Sequence, residues 1–415
     1  MRLRIWGLLA GAFLVAASAV LAFTAPLGGD YPGGPCAGTC DYAGPPIEAL
    51  FHGDISRFFD VQPLMGTFSL LLRAPFAGIA SAFDGGILWE YRLGALPCVL
   101  ALALLAAWLW QLMERRGQSL IARAAVVAVV VASPMTFKSL FWGHPEELLG
   151  AAMCVASLIL AARGRSLAAG ILLGLAIATK QWAALAFLPI LLAARQDRLR
   201  LTVSAALAAA VFIGPVVVSD PGHYFETQNA AAAAQGNRGI TPTNIWWPYA
   251  HVISRQATGN GHVALGYALP TGLNNLAHPL VVLAALGLPL LYWWRRRDRQ
   301  PEDALALLAL IFLLRCLLDP LTYSYHHAPF LIALVAYEAT RRRGLPVLGI
   351  LAAVMLWLTA SVVAPGGDPY FLNRFYVAWA LPFAGYLALT LYFPAAASRL
   401  DRRLRLGRPL DPATA

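Results

Sequence analysis

Long apolar stretches, rich in Leu and Ala, alternate with short polar ones along almost the whole chain. A helix needs about 20 residues to cross the hydrocarbon layer of a bilayer, and several stretches reach that length. Strands of a membrane barrel would instead show short segments of alternating polarity. The pattern therefore predicts an all-α, polytopic bundle of about twelve transmembrane helices. Their expected positions are 5–24, 91–112, 119–137, 147–162, 167–179, 181–194, 201–219, 274–294, 303–320, 325–340, 345–364 and 375–394.

Basic residues cluster in every second loop between the apolar stretches. Such clusters mark the cytoplasmic side of a membrane protein. They are Arg2 and Arg4, Arg115-Arg116, Arg163-Gly164-Arg165, Arg195 to Arg200, Arg295 to Arg299, Arg341-Arg342-Arg343, and Arg399 to Arg405. Because the basic clusters fall in alternate loops, we predict that both termini are cytoplasmic. Two long loops, 25–90 and 220–270, are then extracytoplasmic and are expected to carry interfacial helices.

The chain is expected to hold one membrane domain and no soluble domain. Residues 1–398 would form the membrane domain, with 5–24 as an uncleaved first helix rather than a signal peptide. The apolar region 61–83 is interrupted by Pro63, Arg73 and Pro75, which favours an amphipathic helix in the membrane interface. Residues 399–415 would be a basic cytoplasmic tail, either disordered or lying on the anionic inner leaflet.

Composition agrees with this arrangement. The 415 residues are 59% hydrophobic and only 13% charged, against about 25% charged in soluble domains. The net charge of +10 comes mostly from the topogenic arginines, so it does not indicate nucleic-acid binding. The protein is expected in the plasma or inner membrane, in contact with membrane lipids.

The remaining polar residues gather in the loops predicted to lie outside. A transporter usually carries ionisable groups in the middle of its helices, and this chain has few of those. The distribution therefore favours a reaction at the outer membrane surface. A transporter or flippase of lipid-linked sugars, without bond chemistry, is the main alternative, and a noncatalytic scaffold is a weaker one.

Three cations lie outside the topogenic pattern. Lys138 and Lys180 are the two lysines of the chain, and Arg315 lies within a predicted helix near its outer end. A charge inside an apolar helix is costly and tends to be functional. Together these cations would suit an anionic ligand such as a lipid phosphate. Snorkelling of the long side chains to the interface is the alternative.

Other candidate groups occur in the outer loops. His326 and His327 could bind a phosphate or relay a proton. An outer-loop Asp, Asp41 or Asp30, could deprotonate a hydroxyl, although an isolated Asp more often forms a turn. Further polar and aromatic candidates for substrate contacts are Tyr42, Trp142, His144, Glu146, Asn244, Trp246, Trp247 and Tyr323.

The five cysteines divide between the loops and the helices. Cys36 and Cys40 lie in the first outer loop, where a disulfide can form. A disulfide between them and two free thiols are alternatives of equal weight. Cys98, Cys154 and Cys316 fall in predicted helices and are expected to be inert packing thiols. Metal-ligand spacing is not evident, so a divalent metal is conceivable but not indicated.

Three stretches of the chain resemble a known pattern of membrane enzymes. The first is Asp41-Tyr42, followed by the segment 47–54 and Gln62-Pro63. The second joins Trp142-Gly143-His144, Arg163-Gly164-Arg165, the segment Ala169 to Leu175 with Gly170 and Gly174, and Lys180. The third runs from Asp319-Pro320 to His326-His327.

In this order, the stretches resemble the GT-C class of polytopic glycosyltransferases. More narrowly, the chain resembles glycosyltransferase family 87, polyprenol-phosphate-mannose-dependent mannosyltransferases common in actinobacteria. It departs from that family at His144, where a Gln is usual.

The resemblance implies an inverting transfer of a hexose, with mannose expected. The donor would be a polyprenyl-phosphate sugar, and the acceptor a hydroxyl of a lipid or cell-envelope glycan on the extracytoplasmic face. Asp41 would be the catalytic base and His326 a second catalytic group. Lys180, Arg315, His327 and Lys138 would hold the donor phosphate. No cofactor is required by this chemistry.

Overall fold

The structure is a computed structural model that describes residues 20–21, 24, 43–61, 66–226, 240–257, 263–296 and 300–404. The predicted first helix, 5–24, falls almost entirely outside the described residues. Within them, helices dominate, as the apolar pattern predicts. The helices of the first half are α1 (Gly44–Phe51), α2 (Ile55–Val61), α3 (Thr67–Ala82), α4 (Gly86–Arg115), α5 (Leu120–Val131), α6 (Pro134–Phe141), α7 (Glu146–Ala162), α8 (Ser166–Ile177) and α9 (Phe187–Ala193).

The second half continues the helical bundle. Its helices are α10 (Arg198–Ser219), α11 (Thr271–Arg295), α12 (Asp303–Leu318), α13 (Ala328–Arg341), α14 (Val347–Trp357), α15 (Pro369–Tyr392) and α16 (Pro394–Leu404). A π-helical segment, Leu358–Val363, extends α14, and short 3-10 turns occur at Gln181–Ala186, Trp247–Tyr249, Ser324–His327 and Ala364–Gly366.

Six segments of the described chain are long and apolar enough to cross a bilayer. They are Gly86–Arg115, Leu120–Phe141, Arg198–Ser219, Thr271–Arg295, Val347–Gly366 and Pro369–Tyr392. The predicted all-α, polytopic architecture is confirmed in these residues. The proline at 134, with Ser133 capping the helix that it opens, divides the segment predicted as one helix over 119–137 into α5 and α6.

Three shorter helices, α7, α12 and α13, form the centre of the bundle. Almost every one of their residues is buried, including Phe312 and Phe330. They carry apolar side chains all round because other helices surround them, which is the pattern of a helix inside a large core. They hold the residues of the candidate site at their ends.

The Gly-rich motif of α8 serves close helix packing. A Cβ atom built on Gly170 would lie 2.3 Å from the carbonyl oxygen of Leu201, and one on Gly174 would lie 2.4 Å from that of Ala205. Only glycine allows α8 and α10 to approach this closely, which is the geometry of small-residue packing in membranes.

The basic loops meet at one end of the bundle. Arg116 donates to the Thr340 carbonyl oxygen at 2.6 Å, and Gln118 donates to the Arg342 carbonyl oxygen at 2.6 Å. Arg341 forms an ion pair with Asp303 at 3.2 Å. These contacts place the loops around Arg116, Asp303 and Arg341 at one end of the bundle, as the alternation of basic loops predicts.

The start of the predicted tail is ordered against the bundle. Residues 399–404 continue α16, and Asp401 lies 3.2 Å from the Arg342 guanidinium and accepts a hydrogen bond of 2.5 Å from Tyr386. Helix α16 therefore runs from Pro394 to Leu404 and contacts the bundle through Asp401. Residues 405–415 lie outside the described residues.

The second long loop contains short helical segments, at 221–226 and Trp247–Tyr249, and also a hairpin that the sequence pattern did not predict. Strands β1 (His251–Ala257) and β2 (Val263–Ala268) form an antiparallel hairpin with an irregularity between Val252 and Ser254. The first long loop does contain helices, namely α1, α2 and α3. Both strands are short, and β1 contains the β-branched residues Val252 and Ile253, which favour extended backbone.

Candidate active site

Polar side chains from distant parts of the sequence converge at the end opposite the basic loops. The loop before α7, the break between α8 and the following 3-10 turn, and the turn before α13 meet there. The ring of His144 stacks on Tyr325 with centroids 4.5 Å apart, and Trp142 lies 6.3 Å from Tyr323. The predicted substrate residues Trp142, His144 and Tyr323 are thus brought together.

Glu146, the first residue of α7, is the centre of this cluster. Its fully buried carboxylate lies 3.2 Å from the Arg73 guanidinium, 2.9 Å from Nδ1 of His144 and 3.2 Å from Nζ of Lys180. A buried charge is stable only when it is paired and hydrogen-bonded. Glu146 therefore fixes side chains of α3, the loop before α7 and the break after α8 in one arrangement.

Lys180 owes its position to an interrupted helix. Helix α8 ends at Ile177, and Lys180 is extended (φ −150°, ψ 129°) before the 3-10 turn begins at Gln181. The carbonyl oxygens of Ala178 and Thr179 accept hydrogen bonds of 3.1 Å from the backbone N–H groups of Phe68 and Gly66. The start of α3 thus satisfies the broken helix end and aims Lys180 at Glu146 and Glu147.

Arg315 lies in the last turn of α12 and is buried. Its guanidinium lies 5.2 Å from the centroid of the Trp182 ring, a cation–π contact. In the part of the chain that the structure describes, this guanidinium has no carboxylate within ion-pairing distance. Such a cation retains its capacity to bind an anion.

His326 adjoins the same cations in the turn before α13. Its Nδ1 accepts a hydrogen bond of 3.3 Å from the backbone N–H of Tyr323, so the ring proton is on Nε2. Burial, together with the charges of Arg315 and Lys180, lowers the pKa of His326 well below its ordinary value. It is therefore a neutral imidazole with one N–H to donate.

His327 does not share the position predicted for it. Nε2 of its buried ring lies 2.8 Å from the Tyr376 hydroxyl, and Nδ1 lies 3.1 Å from the Ser324 carbonyl oxygen. Burial lowers the pKa of His327 to about 4. Both ring nitrogens are engaged inside the protein, so this side chain joins the turn to α15 and leaves no nitrogen for a phosphate.

Lys138 also lies apart from the cluster. It lines a separate cavity of about 460 Å³ with Phe137, Phe141 and Trp357, and its ammonium group lies 5.5 Å from the Phe141 ring centroid. Lys180 and Arg315 both act on His326, whereas Lys138 lines this other cavity on α6.

The predicted contacts in the second loop are mainly internal. Asn244 donates to the Pro320 carbonyl oxygen at 2.9 Å, and the Trp246 indole donates to that of Leu318 at 2.6 Å. Trp247 packs on Tyr267 and is 2% exposed. Neither tryptophan offers an open face for stacking a sugar, because Trp246 bonds to the end of α12 and Trp247 is buried against Tyr267 and Tyr370.

The candidates in the first loop lie outside the described residues. These are Asp30, Cys36, Cys40, Asp41 and Tyr42. Ala43, the next residue along the chain, lines a small cavity with Arg73 and Gly143. The three cysteines in helices are buried and free, as expected.

Two residues of the site, Arg73 and Trp182, were not among the candidates that the sequence indicated. Arg73 counted only as an interruption of an apolar segment, yet it is 2% exposed and paired with Glu146. Glu147 and Trp182 adjoin Lys180 and Arg315 respectively. In the described ranges, no group of three or more His, Cys, Asp or Glu side chains is placed to hold a metal ion.

Comparison with known proteins bears on this geometry. No curated protein matches the chain. Among solved structures, one similar chain is ArnT from Cupriavidus metallidurans, crystallised in the apo state. The two are 20% identical, the match covers 97% of this chain and 73% of ArnT, and the TM-score is 0.47.

The family comparison covers more than half of the chain. The model of glycosyltransferase family 87 matches residues 66–320. This range includes Arg73, Glu146, Lys180 and Arg315, the ionised groups around which the cluster is built. In agreement with the motifs of the sequence, the chain belongs to glycosyltransferase family 87.

Proposed function

We propose that this membrane glycosyltransferase is an inverting enzyme that transfers a hexose, mannose in the first instance, from a polyprenyl-phosphate donor. The acceptor would be a hydroxyl of a lipid or cell-envelope glycan on the extracytoplasmic face. The observation that carries the proposal is the position of Arg315, a buried guanidinium without a carboxylate partner among the described residues, in the same cluster as Lys180 and His326.

These groups suit a departing phosphate. When the glycosidic bond breaks, a phosphodiester becomes a lipid monophosphate and gains negative charge. Lys180 and Arg315 would attract that charge, and the Nε2–H of His326 would donate a hydrogen bond to a phosphate oxygen. Donors fixed before the reaction stabilise such developing charge without reorganising.

Asp41 remains the proposed base. The acceptor oxygen would attack C1 of the sugar while the bond from C1 to the phosphate oxygen breaks, and the acceptor proton would pass to the Asp41 carboxylate. Asp41 is preferred over Asp30 because Asp41-Tyr42 is part of the motif that resembles the family.

The test is transfer by the purified protein in nanodiscs, supplied with polyprenyl-phosphate mannose and an envelope lipid extract as acceptor. We expect Asp41→Asn to lower kcat at least about 100-fold, the usual contribution of a general base. Asp60→Asn is the matched control, since Asp60 is exposed on α2, and it should retain full activity.

Two results would contradict the proposal in different ways. Undiminished transfer by Asp41→Asn removes the base assignment alone. Movement of the lipid-linked sugar across proteoliposome membranes, without any transfer product, supports the transporter alternative instead.

A further inference from the structure

Three buried polar atoms of the cluster have no hydrogen-bond partner among the described residues. They are Nε of Arg73, whose guanidinium is already paired with Glu146, Oε2 of Glu147 and the indole nitrogen of Trp182. Glu147 is 1% exposed. Buried polar groups in native proteins are almost always satisfied, because leaving one unpaired costs the full loss of hydration. A buried carboxylate oxygen and a buried N–H without protein partners therefore mark a place suited to a polar ligand.

The side chains of Glu147 and Trp182 lie close to each other. A Cβ atom built on Gly150 would lie 3.2 Å from the Trp182 ring, and Gly150 is one turn beyond Glu147 on α7. The other oxygen of Glu147 lies 3.7 Å from Nζ of Lys180, and the other side of the neighbourhood is Arg315, 5.2 Å from the Trp182 ring centroid. Glu146 contrasts with its neighbour, because all of its charge is engaged by Arg73, His144 and Lys180.

We propose that Glu147 and Trp182 form the subsite that recognises hydroxyl groups of the transferred sugar. Glu147 accepts a hydrogen bond from one hydroxyl, and the Trp182 indole donates to a hydroxyl oxygen. The inference rests on the proposed function, in which Lys180 and Arg315 hold the phosphate bonded to that sugar. A subsite beside the phosphate cations matches the geometry of a glycosyl phosphate.

The chemistry of the pair selects among ligand classes. A phosphate oxygen would be repelled by the Glu147 carboxylate, and an alkyl chain would leave both polar atoms unpaired. A sugar offers neighbouring hydroxyls that both donate and accept, and it satisfies both atoms at once. Sites built to hydrogen-bond a hydroxyl discriminate strongly against substrates that lack it.

The experiment measures kcat/KM for polyprenyl-phosphate mannose and for its 2-, 3-, 4- and 6-deoxy analogues. The variants are Glu147→Gln and Trp182→Phe, which change the hydrogen-bonding groups and preserve the side-chain shapes. The matched controls are Glu114→Gln and Trp110→Phe, which lie toward the basic end on α4 near Arg123. Size-exclusion profiles and melting curves verify folding, and Trp182→Phe carries the test if Glu147→Gln does not fold.

In the wild type, one deoxy analogue should lose about 10- to 100-fold in kcat/KM, the range for a hydrogen bond to a charged group. In Glu147→Gln, kcat/KM for that analogue should be close to kcat/KM for polyprenyl-phosphate mannose, because the side chain that contacts the missing hydroxyl is altered. Trp182→Phe should reduce discrimination at the hydroxyl that it contacts. The control variants should keep the wild-type pattern.

Other outcomes overturn the inference. If both variants retain the wild-type ratio for every analogue, the unpaired atoms are satisfied by water and the subsite is wrong while the proposed function stands. If the wild type transfers no hexose from any polyprenyl phosphate, the proposed function fails and this subsite fails with it.

Discussion

At the residue scale, the site depends on a carboxylate that stabilises the cations around it. Arg73 and Lys180 are costly to bury, and Glu146 lies 3.2 Å from each of them. The pair Arg73–Glu146 joins residues 73 positions apart, so it also fixes α3 against α7. Removing one member of a buried ion pair leaves an uncompensated charge, which costs far more than losing a pair in water.

We therefore expect Glu146→Ala to destabilise the protein by about 3–5 kcal/mol. It should also abolish transfer, because Lys180 loses its orientation. Melting of the purified protein in detergent measures the stability. Glu114→Ala is the control: Glu114 pairs with Arg123 but is half exposed, so its loss should cost about 0–1 kcal/mol. Equal melting temperatures for the two variants would contradict this role of Glu146.

At the element scale, the broken helix around Lys180 depends on the loop that precedes α3. The N–H groups of Gly66 and Phe68 satisfy the carbonyl oxygens left free by the break. A Cβ atom on Gly66 would lie 2.0 Å from the Ala178 carbonyl oxygen. Gly66 has φ −66° and ψ 137°, which any residue adopts, so the need for glycine here is one of space and not of backbone conformation.

Gly66→Ala should consequently push α3 away from the break. We expect a loss of about 1–3 kcal/mol in stability, typical of overpacking, and at least about a tenfold loss of transfer as Lys180 moves. Gly214→Ala is the matched control, since a Cβ atom there meets nothing within 4 Å inside helix α10; it should be neutral or stabilising by up to about 1 kcal/mol. Wild-type activity in Gly66→Ala would show that the break does not depend on this contact.

The elements themselves were largely predictable from the sequence. Apolar length predicted the cores of α4, α7, α10 and α11, and the two half-helices meeting at Lys180, because each signal is local. The hairpin of β1 and β2 was not predicted, since its strands are short and show no regular alternation of polar and apolar residues. The partners of Glu146 were not predictable either. Nothing near Arg73 in sequence indicates a carboxylate that approaches only when α3 packs beside the break.

At the scale of the whole molecule, the two ends of the bundle have different chemistry. The basic end is closed by hydrogen bonds between loops, such as Gln118 to Arg342 and Arg296 to the Leu391 carbonyl oxygen at 3.1 Å. The opposite end carries the paired acids, the histidines and the cations of the candidate site. Because positive loops stay on the cytoplasmic side, this polarity predicts that the site faces outside, where lipid-linked sugars would reach it from the membrane plane.

Cysteine labelling of intact cells tests that orientation. Glu226→Cys lies at the end of the short helical segment 221–226 that follows α10, Arg343→Cys lies in a basic loop, and both positions are exposed. Helix α10 has 22 residues and is therefore about 33 Å long, enough to separate its ends across the bilayer. In a background with Cys36 and Cys40 changed to Ser, a membrane-impermeant maleimide should label Glu226→Cys at once and Arg343→Cys only after permeabilisation.

The buried Cys98, Cys154 and Cys316 should stay unlabelled in the background protein, which serves as the control. The reverse pattern would place the cations of the candidate site in the cytoplasm, and a polyprenyl-phosphate donor used on the outer face could then not be the substrate.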